Sequence, residues 1–243
     1  MIAEKPWKFE AVVRLVLGFM ATACSAGLVA AVLESKSLGL NARQLEFAQV
    51  ALAAVFFHGA MLVWAAIFLR EVPLSWREAF GLGADRQRQA VAWGTVAALV
   101  FMPVGLALEY LSGLVLPHPE AQHLVQVLGD ADLPVGELAF IGVVSVFLAP
   151  LAEEVLFRGI VYPTIKQLGY PRLALWLTSL VFGLAHFNLP TLVPLTCFSL
   201  VLIFLYEKTG SLWASITAHS VFNLTSFALV LLQAQPAATH AAK

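Results

Sequence analysis

Two adjacent carboxylates and a guanidinium stand in one apolar stretch, Ala149-Pro150-Leu151-Ala152-Glu153-Glu154-Val155-Leu156-Phe157-Arg158-Gly159. Two further sets follow, Phe182-Gly183-Leu184-Ala185-His186 and His219-Ser220-Val221-Phe222-Asn223. In each, the outer residues are four apart, the spacing that puts two side chains on one face of a helix. Glu154 and Arg158, with the acid on the N-terminal side, have the order favoured for a helical ion pair. Glu153 projects about 100° away from Glu154 and finds no partner on its own helix.

Those side chains suffice for amide hydrolysis. A carboxylate and an imidazole can hold and deprotonate a water, while a second imidazole and a carboxamide can donate to the developing oxyanion. Competing chemistries lack their motifs. No His-Glu-x-x-His supplies the usual zinc-protease pair, and no Gly-x-Ser-Gly offers a serine nucleophile within a span. Gly81-Leu82-Gly83-Ala84-Asp85 misses the Gly-x-Gly-Asp of aspartyl membrane proteases by one residue. Each set also has a plainer reading. Glu153, Glu154 and Arg158 suit a solvated interfacial helix end, and a single membrane histidine suits a neutral hydrogen bond to a neighbouring helix. Three sets together weigh against the plainer readings, because they supply a base, imidazoles and an amide donor at once.

The elements that carry these groups must lie in a membrane. Of the 243 residues, 60% are hydrophobic and 12% charged, against roughly 45–50% and 25% in soluble domains. The mean hydropathy is +0.85. A formal net charge of -1 offers no basic field for nucleic acid, so nucleic-acid binding is set aside. Cys24 and Cys197 sit in apolar runs and read as small hydrophobes. The stretch before Cys24 lacks the Leu of a lipoprotein cleavage site, which leaves a retained signal-anchor helix.

Crossing the hydrocarbon core takes about 20 apolar residues, and that requirement predicts an all-α bundle of about seven transmembrane helices. The spans read as 11–33, 47–69, 90–116, 138–162, 173–189, 191–206 and 211–232. They form one integral membrane domain over 1–243, with a motif-bearing core at 138–232 and N-terminal helices within 11–116. This layout gathers Lys5, Lys8, Arg14, Arg70, Arg77, Arg86, Arg88, Arg158, Lys166, Arg172 and Lys208 on one side, leaving Lys36, Arg43 and Lys243 on the other. The positive-inside rule then predicts a cytoplasmic N-terminus, an outer C-terminus and a plasma-membrane location.

Trp76, Phe80 and Leu82 make the 70–89 link an amphipathic interfacial segment or a solvated loop. Leu124, Val125, Val127 and Leu128 suggest a short helix in the 117–136 link. His58, midway along the second span, reads as an interhelical hydrogen-bonding residue, with cavity lining as the alternative. Depth raises a difficulty. At 1.5 Å per residue Glu153 lies about 13 Å from its span end near 162 and His219 about 12 Å from its own, but His186 about 21 Å from Arg172.

The series Glu153-Glu154-x-x-x-Arg158, Phe182-x-x-x-His186, His219-x-x-x-Asn223 resembles the CPBP family of CAAX proteases and bacteriocin-processing enzymes. The resemblance covers 138–232; the first three spans share only hydropathy with that family. It implies an intramembrane endopeptidase acting on a membrane-associated protein or peptide within the lipid bilayer. Position by position, it implies Glu153 as the water-activating base assisted by His186, with His219 and Asn223 as the oxyanion site. Glu154, Arg158 and Phe182 would support that site. It also implies a metal-free glutamate mechanism, with a Glu153, His186 and His219 zinc site as the alternative. From other classes, a catalytically silent binding or immunity protein and a small proton-coupled transporter remain open; the latter lacks visible repeats.

Overall fold

A computed structural model describes residues 2, 4–34, 42–83, 87–116 and 133–241. The expected helix around Leu124 lies outside the described residues. In chain order the helices are α1 (Phe9–Glu34), α2 (Ala42–Leu69), α3 (Trp76–Phe80), α4 (Gln87–Val115), α5 (Val135–Gln167), α6 (Pro171–Leu184), α7 (Leu189–Thr209) and α8 (Leu212–Ala241). Every span read from the sequence falls on one of these helices, and the protein is an all-α membrane protein. Among the described residues five helices, α2, α4, α5, α7 and α8, are long and apolar enough to cross a bilayer. They do not confirm the count of seven crossings. α6 has 14 residues, about 21 Å of helix against a hydrocarbon core of about 30 Å.

α5 sits centrally, between two packed groups. On one side α1, α2 and α3 contribute Leu15, Met61, Phe68 and Phe80 to a core that also holds Ala152, Val155 and Ile160 of α5. On the other, α4, α7 and α8 close around Phe101, Phe198, Leu202 and Ala218. In lipid, helices associate through close van der Waals packing rather than escape from water, which favours small residues at crossings. Gly94 on α4 meets the backbone of α8 at Ala214 and Ala218 so closely that a Cβ would collide with both.

Two prolines shape α5. Proline has no N–H to donate and its ring crowds the preceding turn. Ahead of each proline the helix widens into a π-turn, Val144–Leu148 before Pro150 and Val155–Val161 before Pro163. The amide of Ala149 reaches Val144 O and that of Tyr162 reaches Phe157 O, both five residues back. The missing proline amides leave carbonyls for other donors. Asn223 Nδ2 donates to Ser145 O at 2.8 Å, five residues before Pro150. Trp7 Nε1 donates to Gly159 O at 3.2 Å, four residues before Pro163.

The 70–89 link is neither a free loop nor wholly interfacial. Ser75 and Glu78 form a reciprocal capping box at the start of α3. Gly81 ends it with φ 64°, a left-handed conformation favouring glycine, and approaches Gly210 O too closely for any Cβ. α3 thereby covers the α7–α8 turn, where Ser211 and Leu212 are buried. Phe80 fills the space beside Gly159 and Leu212.

Candidate active site

The three motif-bearing helices meet at one cluster. Glu154 and Arg158 are both 0% exposed, and Arg158 Nη1 donates to Glu154 Oε1 at 2.7 Å. Arg158 Nη2 donates to Ser199 Oγ on α7 at 2.7 Å, and its guanidinium lies 4.3 Å from the centre of the Phe182 ring. A buried guanidinium is tolerable only with such counter-charge, hydrogen bonding and an aromatic face. The ion pair expected from the i, i+4 spacing is therefore present. It also does more than hold its own helix, since His219 Nδ1 lies 3.0 Å from the same Glu154 Oε1. A carboxylate oxygen between an arginine and an imidazole accepts from both, so His219 donates through Nδ1. That bond aims its Nε2 at Glu153.

Glu153 occupies a different environment, with a side chain 12% exposed. Its Oε2 stands 3.9 Å from His219 Nε2, beyond direct hydrogen bonding, and has no hydrogen-bond partner among the described residues. Such a separation lets a water or a carbonyl oxygen contact both groups. Its Oε1 lies 3.3 Å from His58 Nε2 on α2. The interhelical contact expected of His58 thus exists, and its partner is the carboxylate that had none on its own helix.

His186 follows directly after α6. Its Nδ1 donates to Phe182 O at 2.8 Å, leaving Nε2 free to accept. The Phe182 ring centre lies 5.0 Å from that of His186 and 5.6 Å from that of His219, so one buried ring orders both imidazoles. His186 reaches the cluster through this ring; among the described residues no direct bond joins it to Glu153. Asn223 lies one turn beyond His219 on α8, with one amide N–H committed to Ser145 O.

The depth difficulty arises from span ends placed too early. α5 continues to Gln167, so Glu153 lies about 21 Å from that end at 1.5 Å per residue, level with His186 on α6. α8 begins at the buried turn beneath α3.

Among the described residues, no three His, Cys, Asp or Glu side chains converge as metal ligands would. His58 is the site residue that the motifs miss. Its only signal in the sequence is a titratable side chain in the middle of an apolar helix.

Residues 135–225 match the family model described as type II CAAX prenyl endopeptidase Rce1-like. The chain is 30% identical over 94 residues to the "Putative membrane peptidase YdiL" of Bacillus subtilis (strain 168), covering 39% of this chain and 37% of that protein. It is 34% identical over 80 residues to the uncharacterized protein YpbD of the same organism, covering 31% of this chain and 38% of that protein. The chain thus spans less than two fifths of the length of these relatives. No solved structure matches it.

Proposed function

From the match of residues 135–225 to the Rce1-like family model, we propose that this protein is an intramembrane endopeptidase of the glutamate type. Its substrate is a membrane-associated protein or peptide, and Glu153 is the base. The observation that carries this reading is the different setting of the two carboxylates: each keeps one buried oxygen without a partner among the described residues, but Glu154 is fully enclosed and tied through Oε1 to Arg158 and His219, while Glu153, 12% exposed, turns its Oε2 toward His219 Nε2 at 3.9 Å. One acid builds the site and the other is free to act.

In the reaction, Glu153 Oε2 takes a proton from water as the water oxygen attacks the scissile carbonyl carbon. His186 Nε2, an acceptor, helps orient that water. The oxyanion receives hydrogen bonds from His219 Nε2–H and from the second N–H of Asn223. Since Nδ1 of His219 donates to Glu154, donation through Nε2 requires the imidazolium. Its charge and that of Arg158 offset the carboxylates of Glu153 and Glu154 beside them. Glu153 then passes its proton to the departing amide nitrogen as the carbon–nitrogen bond breaks.

No metal is needed for these steps, and the engagement of Glu153 by His58 and of His219 by Glu154 supports a metal-free site. Chelation should leave activity intact; stoichiometric zinc whose removal stops cleavage and whose return restores it would replace this mechanism. The function itself is tested in cells by mapping the C-termini of membrane proteins. A set of new C-termini should be present with the wild-type gene and absent both on its deletion and in the Glu153→Gln strain. Identical C-termini in all three strains would reject the peptidase reading.

A further inference from the structure

His58 lies outside the three motifs, on a helix that the family match does not cover. Its ring nitrogens are nevertheless both engaged. Nδ1 is 2.8 Å from Ala54 O, one turn earlier on α2. A backbone carbonyl only accepts, so Nδ1 carries a proton and the ring orientation is fixed. Nε2 then faces Glu153 Oε1 at 3.3 Å. Nε2–H donates to the carboxylate in that contact, so Glu153 stays ionised and able to take a proton on Oε2.

This contact assigns different tasks to the two oxygens of one carboxylate. Oε1 is tied to α2, and Oε2 is left facing His219 Nε2 without a partner. Both side chains are nearly enclosed, His58 13% and Glu153 12% exposed, so water competes little for Oε1. A Glu side chain has three rotatable bonds, and a single bond to a ring anchored on another helix removes most of that freedom. The Phe57 ring, 5.4 Å from the His58 ring centre and roughly perpendicular to it, packs against the imidazole.

Resting on the peptidase reading, we propose that His58 is a positioning residue for Glu153: it holds Oε1 so that Oε2 meets the attacking water. The role is set by placement of the imidazole Nε2, and glutamine places an amide nitrogen at about the same distance along the side chain. His58→Gln should therefore preserve the contact, and His58→Ala should lose it.

The experiment compares wild type, His58→Ala and His58→Gln, purified and reconstituted, for kcat and KM on a cleaved peptide. His58→Ala should lower kcat about 10²-fold, the cost of a base displaced by about 1 Å, with KM little changed. His58→Gln should recover most of that loss. Wild-type kcat in His58→Ala, or His58→Gln no better than alanine, would overturn the proposal. A second measurement is independent of activity: melting temperatures of His58→Ala, Glu153→Ala and the double variant. Coupled residues should give a double loss smaller than the sum of the single ones, and strictly additive losses would overturn the pairing. If the wild type cleaves nothing, the peptidase reading fails, and the melting cycle still decides whether His58 holds Glu153.

Discussion

An ionised carboxylate inside a helical bundle costs several kcal/mol unless charge and hydrogen bonds surround it. Glu154 meets that condition with Arg158 and His219 on one oxygen. Removing one member of such a buried pair leaves the other uncompensated, at a cost of about 3–5 kcal/mol. Arg158→Ala should therefore lower the melting temperature in detergent or the folded yield. The double change Glu154→Gln with Arg158→Gln should recover part of that loss; a double variant no better than Arg158→Ala would contradict the pairing. Asn223 donates to Ser145 O and, in the proposed mechanism, to the oxyanion. Asn223→Ala should reduce kcat about 10²- to 10³-fold, with KM largely kept, and wild-type turnover would remove it from the oxyanion site. The Glu154–Arg158 pair was legible because i, i+4 spacing is a local rule. The contacts of Glu153 with His58 and of Asn223 with Ser145 O were not, since they join residues 95 and 78 positions apart.

At the scale of elements, hydropathy located the seven longer helices, left α3 as an interfacial segment or loop, and misjudged helix ends. The sequence reading stopped the fourth span near 162, whereas α5 runs to Gln167. Tyr162, Pro163 and Thr164 are buried in protein rather than in lipid, so their polarity and the proline do not end the helix. A hydropathy window cannot tell those two surroundings apart. Pro150 lacks an N–H and so disturbs the turn before it. Its consequence, a freed carbonyl taken by Asn223, depends on α8 lying alongside. The closeness of α4 and α8 at Gly94 positions the helix that carries His219. Gly94→Ala should push α4 from α8, lowering both melting temperature and turnover. Gly136→Ala, where a Cβ meets nothing within 4 Å, should be neutral or slightly stabilising, as alanine is in helices. Equal effects at the two positions, measured by detergent melting, would contradict the packing described.

For the whole molecule, Lys5 and Lys166, which the charge count placed on one side, lie at one end, whereas Arg158, counted with them, is buried in the site beside Glu154. Lys5 Nζ donates to Ala79 O at 2.7 Å, Lys166 pairs with Glu207, and the Lys5 amide donates to Gln167 Oε1 at 2.8 Å. At the other end Arg43 pairs with Glu137 at 3.1 Å. The assignment of the lysine-rich end to the cytoplasm follows from the positive-inside rule. In a background with Cys24 and Cys197 replaced, Val135→Cys should react with a membrane-impermeant maleimide in intact cells and Arg172→Cys should not; the reverse pattern would invert the orientation. What no part of the sequence displays is the convergence of α2, α5, α6 and α8 on Glu153, because the bundle brings together residues that no motif links. The claim that depends on this convergence is that Glu153 is the base. Its most direct test is the turnover of purified, reconstituted Glu153→Gln, which keeps the shape and hydrogen bonding of the side chain but cannot take the proton. We predict that cleavage disappears while the melting temperature stays at the wild-type value; cleavage near the wild-type rate in a folded Glu153→Gln protein would contradict the account.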